Sequence, residues 1–143
     1  MRKIEFIIIH HSASPDEPRL DKEVIRDWHM TGNGWRDIGY HFIVEYLEGH
    51  PVILLGRPVE QAGAHCPPYN QNSIGLCMIG NFEDAPPPRD KRLEMGRLVR
   101  SLQVQYGIPR ERVLAHREAM PGHTVCPGAY LDMEKFRQEQ CLP

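Results

Sequence analysis

The apolar stretch "FIIIHHS" ends in two adjacent histidines, His10 and His11, and two residues of related chemistry lie far downstream: His116 in "LAHREAM" and Cys126 in "HTVCPG". Two imidazoles and one thiolate are a three-ligand set for zinc, and a tetrahedral ion so held keeps its fourth position for water. That open position separates a catalytic metal from a structural one. Successive strand residues point to opposite faces, so only one of His10 and His11 can aim at His116 and Cys126. Alternation alone does not say which. Taken singly, each histidine reads first as a hydrogen-bonded structural residue, and His29, His41, His50 and His123 are left in that role.

Each of these residues needs an element to position it. "KIEFIII" reads as a strand carrying the histidine pair to its end. In "LDKEVIRDWHM", Leu20, Val24, Ile25 and Trp28 share one helical face, and "TGNG" supplies the stop. "GYHFIVEY" alternates as a strand, with Tyr40 near its start, and "EGHP" turns it into a second one, "VILLG". "NSIGLCMIGNF" is a near-continuous apolar run, as a central strand covered on both faces requires, and it makes Cys77 a small buried hydrophobe. "DKRLEMGRLVRSLQVQY" sets Met95, Leu98, Val99, Leu102 and Tyr106 at helical spacing, with Asp90 as cap and Gly107 and Pro109 at the end. "VLAH" is a short strand ending in His116. "LDMEKFRQEQ" is a last helix packing through Leu131, Met133 and Phe136. Strands and helices interleave, so the expected fold is α/β, a central mixed β-sheet flanked by α-helices. His10 and His116 fall at strand ends and Cys126 on a loop held by Pro121, Gly122, Pro127 and Gly128. In α/β sheets that is where sites gather.

The chain has 143 residues, with neither an internal repeat nor a linker, and reads as a single domain over 1–143. Charged residues make up 25% and hydrophobic ones 41%, which excludes disordered and fibrous classes. A formal net charge of −2 with scattered arginines offers no footprint for nucleic acid. The first apolar run is interrupted by Glu5 and stops at His10, too short for a signal-peptide core or a membrane span. The expectation is a protein made and kept in the cytoplasm, with no stable membrane association. Cys66, Cys77, Cys126 and Cys141 show no dense regular spacing, so no disulfide framework is expected.

Four stretches, "IIIHHSAS", "GWRDIGYHFIV", "GAHCPPYNQNSIGLCMIGNF" and "LAHREAMPGHTVCPG", occur in the order and approximate spacing of the zinc-dependent N-acetylmuramoyl-L-alanine amidases. That family includes short phage endolysins and the catalytic peptidoglycan recognition proteins, and the resemblance covers roughly residues 4 to 136. It implies a central mixed sheet flanked by helices. It also implies one zinc ion held by His10, His116 and Cys126, with Tyr40 beside it. Where some members carry Lys two places before the ligating Cys, this chain has Thr124, as the recognition-protein branch often does.

The implied reaction is hydrolysis of the amide between N-acetylmuramic acid and L-alanine in peptidoglycan or a muropeptide. Zinc would polarise the carbonyl and lower the pKa of water to roughly 7. Tyr40 and Thr124 are the candidate hydrogen-bond donors to the developing oxyanion, and His65 is a candidate for lining the cleft. The role expected is that of a phage or prophage endolysin, a monomer with no separate wall-binding domain, acting on the wall after release from the producing cell. A cytoplasmic amidase of muropeptide recycling and a non-catalytic peptidoglycan-binding module are the alternatives. A structural zinc site would want His123 as fourth ligand. "HRE" followed by Cys126 is also reminiscent of the zinc deaminases, but Val125 stands where that pattern has proline and Ala129 where it has a second cysteine. Glu118 is therefore read as a solvated or turn-stabilising residue.

Overall fold

A computed structural model describes residues 1–14 and 38–143. The helix expected over 20–30, its "TGNG" stop and His29 lie outside the described residues. Among the described residues five strands form one sheet in the order β3-β2-β4-β1-β5: β1 Phe6–His11, β2 Phe42–Leu47, β3 His50–Leu55, β4 Ser73–Met78 and β5 Val113–Ala115. β1 runs parallel to both β4 and β5, β2 runs parallel to β4, and β2 and β3 are antiparallel. The sheet is mixed, as the interleaved pattern requires.

The two apolar runs take the centre. Every residue of β4 is buried and Ile7, Ile8 and Ile9 have no exposed surface, which is why these strands show no polar alternation. Their register pairs His10 with Cys77 and His11 with Met78, so both histidines sit at the carboxyl edge of the sheet. Cys77 is buried with Ile38, Ile43 and Ile79, the small hydrophobe expected. All four cysteines are free. The β2–β3 turn is tighter than "EGHP" suggests: Leu47 pairs with His50, and only Glu48 and Gly49 lie between. Both adopt positive φ (51° and 80°), the conformation that lets a two-residue turn follow the strand twist.

The long helix α1, Arg89–Tyr106, buries Met95, Leu98, Val99 and Leu102 against the sheet. Gly107 stops it in the left-handed conformation (φ 66°). Its start corrects one expectation. Pro88 is the N-cap, and Asp90 lies inside the first turn, where its carboxylate accepts from Tyr46 Oη at 2.6 Å and Lys91 N at 2.8 Å. A negative charge is still favourable there because the first-turn N–H groups are positive. Lys91 is fully buried, with Nζ donating to Ile79 O at 2.8 Å and lying 4.2 Å from the Tyr46 ring centre. Nothing in the helical pattern marks that burial, since Lys is a polar letter in it. The one-turn helix α2, His116–Ala119, follows β5 directly, so His116 opens a helix as well as ending "VLAH". The last helix, α3 Met133–Gln140, is capped by Asp132, which accepts from Lys135 N, and packs through Leu131, Met133 and Phe136 as expected. Among the described residues no helix is long and apolar enough to cross a membrane.

Candidate metal centre

Strand order brings the first two residues of the site together. β5 lies beside β1 with Ala115 opposite Ile9, so the residues that follow, His116 and His10, emerge side by side with ring centres 4.4 Å apart. Cys126 arrives from the loop between α2 and α3. That loop folds back because Arg117 N donates to Cys126 O (2.8 Å), and the Arg117 guanidinium donates to Gly128 O and Leu131 O (2.8 Å each). Cys126 Sγ then stands 3.7 Å from His10 Nδ1, and the candidate ligand atoms of His10, His116 and Cys126 all lie within 4.8 Å of one another. His11 turns the other way. Its Nδ1 accepts from Phe82 N at 3.1 Å, while its backbone N–H donates to Cys126 Sγ at 3.4 Å.

The set fits zinc on two grounds. A tetrahedral ion with Zn–S of about 2.3 Å and Zn–N of about 2.0–2.1 Å places sulfur and nitrogen about 3.5 Å apart, close to the 3.7 Å found between Cys126 and His10. The second ground is electrostatic. Burial pushes the Cys126 thiol up to about 12, and the His11 N–H and the Arg117 charge pull it down only in part. A thiolate at this position therefore needs a cation beside it. Burial also pushes His116 below the usual imidazole value, which leaves its ring neutral and a nitrogen lone pair available. Met120 Sδ is 3.3 Å from His116 Nε2 and occupies that nitrogen's side of the ring.

These three residues face a cavity of about 360 Å³ whose walls include Tyr40, His65, Thr124 and Val125. Tyr40 lies two residues before β2 rather than within a strand, and its ring centre is 4.9 Å from that of His10. Burial, together with the neighbouring thiols of Cys77 and Cys126, raises its phenol well above the usual value, so Tyr40 carries its O–H proton at any physiological pH. Thr124 Oγ1 accepts from Cys126 N at 3.1 Å, which leaves the hydroxyl proton to be donated elsewhere. His65 is only 8% exposed, with Nδ1 2.9 Å from His10 Nε2. Burial, reinforced by the nearby His41, holds it well below the usual imidazole value.

His123 is exposed and stands outside the cluster of candidate ligands. Glu118 points away from the cluster: one oxygen accepts from Ala115 N at 2.8 Å, and both pair with Arg137 at 2.8 Å. Burial opposes its ionisation, but Arg137 and the Ala115 N–H outweigh that and hold the carboxyl below its usual range. It is a turn-stabilising residue. The contributions of the His11 backbone, Met120 and Arg137 leave no local pattern in the sequence. The Ala115–Glu118 spacing, three residues as in a helix-start motif, is by contrast visible in the sequence.

The family model for N-acetylmuramoyl-L-alanine amidase matches residues 1–129. The chain belongs to that family. It is 34% identical over 137 residues to peptidoglycan-recognition protein LB of Drosophila melanogaster, covering 90% of this chain and 56% of that protein. It is 39% identical over 80 residues to the endolysin of Enterobacteria phage T3, covering 56% of this chain and 50% of that protein. The chain thus spans about half the length of these curated relatives. Among solved structures, the amidase LysC of Clostridium intestinale superposes with a TM-score of 0.81 at 25% identity, covering 96% of this chain and 85% of that one. The mixed sheet and its flanking helices are the fold of this family.

Proposed function

We propose that this family member is a zinc-dependent hydrolase that cuts the amide joining the lactyl group of N-acetylmuramic acid to L-alanine in peptidoglycan. The observation that carries the reading is the convergence of His10, His116 and Cys126 on one cavity in a chain that the amidase model matches over 1–129. Bound to these three side chains, zinc supplies Lewis acidity toward a carbonyl and a lowered pKa to water. The thiolate of Cys126 provides the single negative charge of the ligand set, and the two neutral imidazoles leave the centre net positive. Tyr40, kept as a phenol by burial, donates its O–H toward the oxygen on which negative charge develops. Thr124, whose hydroxyl proton is left over by its bond from Cys126 N, donates to the same charge. His65 closes the inner side of the cavity.

Two competing readings are disfavoured by position. A structural zinc site needs a fourth protein ligand, and His123 is outside the cluster. A non-catalytic wall-binding module would lack a member of the ligand set, whereas all three residues are present. The relationship to phage endolysins supports action on the cell wall after release from a producing cell, with the amidase unit itself recognising peptidoglycan. The test is digestion of purified peptidoglycan with and without a chelator, followed by mass analysis. Free stem peptides beginning with L-alanine, lost on chelation and restored by Zn²⁺, are expected. Cleaved sugars with peptides still attached would reject the proposal.

A further inference from the structure

His65 does more than close the cavity, because both of its ring nitrogens are engaged. Nδ1 is 2.9 Å from His10 Nε2, and Nε2 is 3.3 Å from the hydroxyl of the fully buried Ser73. The two imidazoles meet edge to face, at 88°. We propose that His65 is a positioning residue for the metal: it accepts the Nε2 proton of His10, fixes His10 Nδ1 as the ligating atom, and is itself held by Ser73.

The directions follow from proton counting. A neutral imidazole has one N–H and one lone pair. His10 Nδ1 is the nitrogen that faces Cys126 Sγ, so when it gives its lone pair to a metal the ring proton must sit on Nε2. That proton points at His65 Nδ1, which must therefore be the acceptor. His65 then carries its own proton on Nε2 and donates to Ser73 Oγ, an oxygen able to accept. The reverse order, with Ser73 donating and His65 passing a proton toward His10, would leave His10 Nδ1 protonated and unable to ligate. A hydrogen bond on the far nitrogen of a ligating histidine generally fixes its tautomer and ring orientation.

The surrounding backbone approaches this ring closely at two glycines. A Cβ on Gly75 would come within 2.6 Å of the His65 imidazole, and one on Gly63 would collide with the same ring. The main chain of His65 is fixed as well, since His65 N and Cys66 N both donate to Asn70 Oδ1 (3.0 and 2.9 Å). Two glycines thus leave room for the ring, which is aimed at His10.

The inference rests on the metal reading, and two measurements separate their fates. The first is zinc affinity by chelator competition. His65→Leu should bind zinc about 10–100-fold more weakly, His65→Gln should recover most of the loss through its side-chain carbonyl, and Ser73→Ala should lose less than His65→Leu. The second is ¹⁵N imidazole NMR of the zinc-loaded wild type, where the His10 proton is expected on Nε2 and slow to exchange. Wild-type affinity in His65→Leu, or a His10 proton on Nδ1 in the zinc-loaded protein, overturns this inference alone. Failure of the wild type to take up stoichiometric zinc overturns the metal reading and this inference with it. If His65→Leu does not fold, the wild-type NMR and the His65→Gln affinity decide the matter without it.

Discussion

The inner wall of the cavity, formed by His10, Tyr40 and His65, is set by packing, whereas the outer wall, formed by His116, Thr124 and Cys126, is set by a tied-down loop. On the inner side His10 and His65 are buried, the strand beneath them has no exposed surface over Ile7–Ile9, and two glycines pack closely on the His65 ring. On the outer side all three residues are half-buried, and their placement depends on Arg117 bonding three backbone groups and on the Glu118–Arg137 pair. The contrast teaches that a metal at this site bridges two separately stabilised units. The inner wall offers one ligand oriented by packing; the outer wall offers two, oriented by hydrogen bonds and an ion pair.

The largest effect comes from removing the bridge. His10→Ala, His116→Ala and Cys126→Ser should each abolish stoichiometric zinc binding, read by metal analysis of the dialysed protein, and reduce amidase activity to background. A mild phenotype in any one would show that its wall does not reach the metal.

Acid attacks the inner wall next. His41 lies fully buried beneath His65, its Nδ1 accepting from Gly75 N at 3.0 Å and its Nε2 facing Gln61 O at 2.9 Å. Burial lowers its pKa to about 4, the Gln61 carbonyl opposing this only in part. The unfolded chain therefore binds this proton more readily, so the stability His41 contributes is fully present above about pH 6.5 and is lost as pH falls toward its folded value. In metal-free protein the folding constant should fall by up to about tenfold per pH unit across that window from this residue, measured by urea unfolding. His41→Gln should flatten the slope.

Substitutions that separate the walls by readout come third. Thr124→Val on the outer wall should lower kcat by about 10²-fold if its hydroxyl meets the developing charge, with Thr124→Ser retaining most activity and both variants holding zinc. A smaller contrast compares the supports. Gly75→Ala, which drives a methyl into His65, should cost about 1–3 kcal/mol, while Glu118→Gln, which weakens a partly exposed ion pair but keeps an acceptor for Ala115 N, should cost about 1 kcal/mol or less. Thermal unfolding of the two variants checks the order. Equal costs would remove the distinction between a packed wall and a tied one.

The inner wall is also the more legible in sequence, up to a point. The run "FIIIHH" and the continuous "SIGLCM" announce central parallel strands, and the helical face over Met95 to Leu102 is visible from spacing alone. Strand alternation could not choose between His10 and His11, because both sit at the sheet edge, and only the facing residues decide which ring turns inward. The His10–His65 contact spans 55 positions and arises from the packing of a loop against β4, which no local pattern encodes. The start of α1 is hidden from local pattern for a related reason. Asp90 is a good cap by type, but Tyr46, 44 residues away, claims its carboxylate from within the first turn. On the outer wall, Arg117 and Arg137 look like surface cations in the sequence. Their function as loop anchors appears only once Gly128 O, Leu131 O and Glu118 are in place around them.

X-ray absorption at the zinc edge of the zinc-loaded protein tests the central claim most directly. A centre held by His10, His116 and Cys126 with a place left for water should show one sulfur at about 2.3 Å and three light scatterers at about 2.0–2.1 Å, two of them imidazole nitrogens. A spectrum with a second sulfur, with a third imidazole, or with no sulfur at all would contradict it.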